Sequence, residues 1–244
     1  MKEFNISFWT TILLLTFSLL TNAQVELTEV LSDEKKSFQH TETRFYLSAN
    51  WSNTTRKLLQ NGDLFGDSLG ERTNEVPLNT WSFGLGVRSD FAKQFFWDGG
   101  LSFLRNGEQY SYEDPATDST FNYQTTYSYI SMPLKLNAFI GKKVRLYFGG
   151  GLVPQMFFRY RQNQQWTSAE NTAKSDEIKS KSGYSSFVIS GLLNLGVEFV
   201  FESKWSLFVA SEARWQLSST YMPQDSYTHK AQVYGASFGI MRDL

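Results

Sequence analysis

Between Phe45 and Ile240 the chain repeatedly places an apolar residue at every second position. The segments that do so are joined alternately by very short turns and by long polar loops. The clearest stretch sets Ile130, Met132, Leu134, Leu136, Ala138 and Ile140 on one face, with Tyr129, Ser131, Pro133, Lys135 and Asn137 on the other. Side chains alternate across a strand, so the pattern builds ribbons with one apolar and one polar face. An antiparallel set of such ribbons can close into a barrel that is apolar outside and polar inside, which is what a barrel crossing a bilayer needs. The mean hydropathy of −0.35 does not oppose this, because each barrel strand averages its two faces.

The start of the chain favours export. Residues 1–23 read as a cleaved signal peptide: Lys2 opens it, 12–20 form an apolar core, and Thr21-Asn22-Ala23 supplies small residues for cleavage before Gln24. Read as a membrane anchor, the stretch is too polar and too short for the ~20 apolar residues of a helical span. Residues 24–43 read as a flexible periplasmic lead-in, and 44–244 as one barrel domain. The chain has no cysteine, which excludes a lipid-anchored lipoprotein, a disulfide scaffold and cysteine-ligated zinc or iron–sulfur centres. A net charge of −1 gives no basic footprint for nucleic acid. Aromatic residues make up 16% of the chain, which suits the girdles at membrane interfaces.

The periodicity predicts strands over 44–52, 79–90, 95–112, 120–140, 144–161, 184–201, 204–218 and 230–241. The fold class is therefore all-β, an eight-stranded antiparallel up-and-down transmembrane β-barrel after an N-terminal signal peptide, with tight turns at one end and long loops at the other. The largest loops, 53–77 and 162–183, are the places where a scaffold of this kind carries recognition. Among the aromatics, Phe45, Phe95, Phe139, Phe199 and Trp205 belong near the turn end, and Trp51, Trp81, Tyr127, Phe187 and Trp215 toward the loop end.

The segment Tyr129-Ile130-Ser131-Met132-Pro133-Leu134-Lys135-Leu136 resembles a strand of the PorT-like outer-membrane β-barrel domain family. Phe148-Gly149-Gly150-Gly151-Leu152 and the strand from Gly191 to Phe199 are similar to its later glycine-containing strands. The resemblance spans 44–244 and implies a bacterial outer-membrane barrel, related in architecture to OmpA/OmpX-type barrels, without an assigned biochemical role. Its implied surroundings are outer-membrane lipid, the barrel-assembly machinery and an unidentified extracellular ligand at the outer loops. The chain departs from the usual aromatic C-terminal residue, ending Met241-Arg242-Asp243-Leu244, with Phe238 the nearest aromatic.

No reading of the residues points to an enzyme or a cofactor. Gly235-Ala236-Ser237-Phe238-Gly239 matches the nucleophile-elbow pattern, but that elbow needs a following helix and a later histidine, and only five residues follow. Gly149-Gly150-Gly151 lacks the Lys-Ser/Thr of a phosphate loop. The histidines, His40 and His229, fall at opposite ends of the barrel and read as ordinary exposed residues. The informative polar face carries Arg88, Lys135, Arg145 and Arg214 against Asp98, Glu198 and Glu212. Buried charges must pair, so these seven form the expected lumen network, a plug in place of an ion path. The alternatives are a secreted lipocalin-like barrel, with its apolar face around a ligand, and a small outer-membrane channel or enzyme.

Overall fold

A computed structural model describes residues 42–60, 74–167, 172–222 and 227–244. The expected signal peptide, His40 and nearly all of the lead-in lie outside the described residues. Ten strands run in chain order: β1 (Thr43–Gln60), β2 (Glu75–Ala92), β3 (Phe95–Glu113), β4 (Thr120–Ser131), β5 (Leu134–Ile140), β6 (Val144–Thr167), β7 (Ala173–Ser180), β8 (Phe187–Val200), β9 (Trp205–Gln216) and β10 (Tyr227–Asp243).

All the pairings are antiparallel, and they close. β1 pairs with β2 on one side and β10 on the other, β2 with β3, β3 with both β4 and β5, these with β6, and β6–β8–β9–β10 complete the ring. β4 and β5 together form one stave, giving a barrel of eight staves. Closure leaves no exposed sheet edge around the ring. β7 stands outside it, paired to the far end of β6 from Tyr160↔Ser180 to Thr167↔Ala173.

The two faces separate as the alternation demands. Phe83, Phe148 and Leu193 are 57%, 64% and 56% exposed on the outer surface, whereas Tyr129 and Glu198 are 0% exposed in the lumen. The lipocalin-like alternative requires the opposite arrangement and is overturned. Two girdle assignments also fail: Phe139 and Tyr127 are buried inside, in the same parity as Asn137 and Tyr129, with which they share the lumen face.

Several strand boundaries differ from the periodicity. The predicted strand 120–140 is interrupted at Met132-Pro133, because proline has no N–H to give the ladder; the Met132 N–H instead donates to the Pro154 carbonyl at 2.9 Å. β1 and β2 continue well into the predicted loop, to Gln60 and from Glu75. The predicted loop 162–183 contains the end of β6 and all of β7. These extensions stand beyond the apolar belt, where the buried positions include polar Thr54 and no regular apolar face marks a two-residue period.

Small residues opposite large ones let the rings pack inside. A Cβ on Gly196 would lie 2.5 Å from the Tyr147 ring, and one on Gly86 2.5 Å from the Tyr46 hydroxyl. Higher up, the β2–β3 register shifts between Pro77 and Phe83, and side chains carry the pairing there. Ser82 Oγ accepts from the Arg105 N–H at 3.3 Å, and Thr80 Oγ1 donates to the Arg105 carbonyl at 3.1 Å.

Candidate functional site

Strand register builds the lower lumen. Arg44 lies directly across from Arg88, Arg88 across from Asp98, and Asp98 across from Lys135, so four charged side chains step round β1, β2, β3 and β5 on one face. Opposite them, Arg145 pairs in register with Glu198 on β6 and β8. Glu198 reaches across the lumen and bridges the cations, bonding to Arg44 and, at 3.1 Å, to Arg88. Arg88 also donates to Asp98 at 3.0 Å, and Lys135 lies 3.4 Å from Asp98 and 3.7 Å from Glu212. Arg44 and Arg145 meet at Asp90, at 2.7 and 3.0 Å.

Aromatic rings hold the centre of this network. The Arg88 guanidinium sits 4.3 Å from the Phe96 ring centroid, 4.9 Å from Tyr147 and 5.3 Å from Phe208. Such contacts favour a desolvated cation. Tyr46 donates to Asp98 at 2.7 Å and closes the same level from the other side. Six of the seven sequence-predicted lumen charges thus lie in one connected set. Arg214 does not join it: its guanidinium donates to Asn106 Oδ1 at 2.9 Å and has no carboxylate at ion-pair distance among the described residues.

The network also holds residues that the sequence reading left out. Arg44 stands at the start of β1 and Asp90 near the β2–β3 turn, strand ends where a lumen position cannot be told from a rim position without register. Arg56, on the extension of β1, and Glu108, inside the predicted third strand, belong to a second, upper cluster. Arg56 bonds Glu75 at 2.5 Å and Glu108 at 3.2 Å, and the Tyr127 hydroxyl donates to Glu108 at 3.3 Å.

His229 corrects the expectation of an exposed residue. It is 1% exposed, with its ring 4.7 Å from Tyr127 and 5.0 Å from Tyr221, and its Nε2 is 3.6 Å from Glu108. Residues 217–222 fold back over the lumen and cover it: the Thr220 N–H donates to the His229 carbonyl at 2.9 Å, and the Gln216 amide donates to the Thr220 hydroxyl at 2.7 Å. Above them Tyr184 stacks on Tyr160 at 5.1 Å. Ser237, the elbow serine, faces the lumen mid-strand, and eight residues of β10 put it about 26 Å from His229. That separation leaves the serine no base. Among the described residues no cluster of His, Asp and Glu could hold a metal ion.

The sequence matches the model of the outer membrane protein β-barrel domain family over residues 11–240. The chain belongs to this family. Its location is accordingly the bacterial outer membrane. No curated protein matches it significantly. Among solved structures, OprG from Pseudomonas aeruginosa aligns at 12% identity and TM-score 0.44, covering 84% of this chain and 97% of OprG. The attachment invasion locus protein Ail of Yersinia pestis, in complex with a heparin analogue, aligns at 14% identity and TM-score 0.29 over 81% and 99%. The outer membrane protein AlkL aligns at 13% identity and TM-score 0.43 over 86% and 93%.

Proposed function

We propose that this outer-membrane barrel works as a plugged, non-enzymatic stalk that carries a recognition surface outside the cell. The observation that supports it most is the contrast between a lumen crossed by ion pairs and strands that continue far past the apolar belt. β3, β4, β6 and β7 form one projecting sheet, with the register running to Thr120↔Thr167 and Thr167↔Ala173. Its outermost strand, Ala173–Ser180, is exposed almost throughout and carries Lys174, Asp176, Glu177 and Lys179. Glu177 bonds to Lys179 and Arg161, which hold its carboxyl below the usual carboxylate range. Residue types of this kind favour polar or charged partners.

Within the family, Tyr129-Ile130-Ser131-Met132-Pro133-Leu134-Lys135-Leu136 favours the PorT-like branch. In this reading the barrel-assembly machinery inserts the chain, lipid covers the apolar belt, and the loop end faces outward. The test has two parts. Trypsin added to intact cells should cut at Lys174, Lys179 or Lys181, and protection would place this end inside. Replacing 162–181 with a short Gly-Ser turn should leave heat-modifiable folding intact while reducing attachment of expressing cells to immobilised matrix proteins and glycosaminoglycans. Equal attachment would refute the recognition role.

A further inference from the structure

Between the lower network and the upper cluster lies a chamber of ≈ 60 Å³, counted as space open to the centres of water-sized molecules. On a scale where about 10–15 Å³ accommodates one water, this has room for a few waters or one small ion. Its lining includes the serines Ser48, Ser82, Ser102 and Ser237, with Gly84, on β1, β2, β3 and β10. Its charged residues are Lys135 on β5 and Glu212 and Arg214 on β9. Leu104, Val153, Leu192 and Phe208 give it apolar limits.

The charges around this chamber are unevenly matched. Glu212 accepts from Asn50 at 2.9 Å and lies 3.7 Å from Lys135. Asp98 is occupied by Arg88, Lys135 and Tyr46. Arg214 is 7% exposed, keeps one neutral partner, Asn106, and its buried Nε–H has no acceptor among the described residues. Removing a charge from water without a counter-charge costs several kcal/mol. The Ser82 oxygen already accepts from the Arg105 N–H, which leaves its hydroxyl proton free to donate. Ser237 supplies a second hydroxyl in the same lining.

We infer that the chamber binds a small monovalent anion, of halide or formate size, against the Arg214 guanidinium, with the Ser82 and Ser237 hydroxyls as further donors. The site is distinct from the ion-pair plug below it and independent of any partner at the outer surface. A bound anion supplies the charge that Arg214 lacks, and the chamber is too small for a larger organic acid.

The full chain, purified in detergent, tests this by its thermal unfolding midpoint on heat-modifiable gels at matched ionic strength. Sodium chloride, bromide and formate should raise the midpoint relative to sodium gluconate, whose anion is too large. Arg214→Gln should remove that difference, and the surface control Lys174→Gln should keep it. Crystals grown in bromide should show an anomalous peak beside Arg214, a readout that needs no variant if Arg214→Gln does not fold. Equal midpoints in chloride and gluconate, an anion effect that survives Arg214→Gln, or bromide peaks confined to the outer surface would each overturn the inference.

Discussion

The lower and upper halves of the lumen are filled by different means. The lower half is an ion-pair ladder set by direct cross-strand register, with Arg88, Asp98 and Lys135 on successive staves and Glu198 joining them across the barrel. The upper half is filled mainly by a layer of rings, Tyr127, Tyr160, Tyr184, Tyr221 and His229, closed by a folded-back loop, with the ion pairs of Arg56 to Glu75 and Glu108 beside them. A ladder built on register fails as a unit when one charge is removed, since the remaining ions stay buried. A stack of rings loses only local contacts. The same polar face of the same barrel therefore has a rigid half and a tolerant half.

The largest expected effect breaks the ladder. Glu198→Leu takes away the carboxylate shared by Arg44, Arg88 and Arg145 and leaves Asp90 and Asp98 alone to balance them; removing one partner of a buried pair costs about 3–5 kcal/mol. The folded band on heat-modifiable gels should be lost or its midpoint should fall far below that of the wild type. A midpoint unchanged within error would mean that the ladder does not hold the barrel.

Next comes the outer face. Leu193 is 56% exposed on the belt, and an arginine near the bilayer midplane costs about 2–4 kcal/mol on a barrel's lipid face. Leu193→Arg should lower the urea midpoint of barrels refolded in lipid vesicles, and much less so in detergent. A smaller change is expected in the upper half. Both ring nitrogens of His229 lack hydrogen-bond partners among the described residues, and Glu108, 3.6 Å from its Nε2, keeps Arg56 and Tyr127, so His229→Leu should cost only about 1 kcal/mol. If His229→Leu destabilised the barrel as much as Glu198→Leu, the two halves would not differ as described.

The smallest effect is at the β3–β4 turn. The Ala116 N–H and the Thr117 hydroxyl bond to Asp114 and hold its carboxyl below the usual carboxylate range. A depressed folded value means that the turn's contribution is present above the ordinary carboxylate range and disappears as pH falls through the folded value. NMR titration of Asp114 should therefore give a midpoint below that of a free aspartate. Asp114→Ala should loosen residues 114–119 without moving the barrel's midpoint, and a shifted midpoint would tie this turn to the core.

The sequence made the faces of the barrel legible and left its heights obscure. Parity alone assigns Leu193 and Phe148 to the outside and Arg88, Asp98 and Lys135 to the inside, because burial on one face imposes a period of two. Parity does not say which inward residues share a level, so the lack of a carboxylate at ion-pair distance from Arg214 among the described residues could not be read. The partnership of Arg44 with Asp90 and Glu198 was hidden for the same reason. β7 escaped because its sequence, AKSDEIKS, stands free of the belt and has no apolar face to reveal a strand. His229 was misjudged because its burial comes from residues 217–222 folding back, a contact without a local signature.

The central claim is that the lumen is closed by its own side chains, and conductance tests it most directly. Purified protein in a planar bilayer should show no steady open pore at moderate voltage, and Glu212→Gln and Lys135→Gln should stay equally silent. Reproducible single-channel steps from the wild-type protein, with an ion selectivity that shifts in either variant, would contradict the claim and make this barrel a small channel.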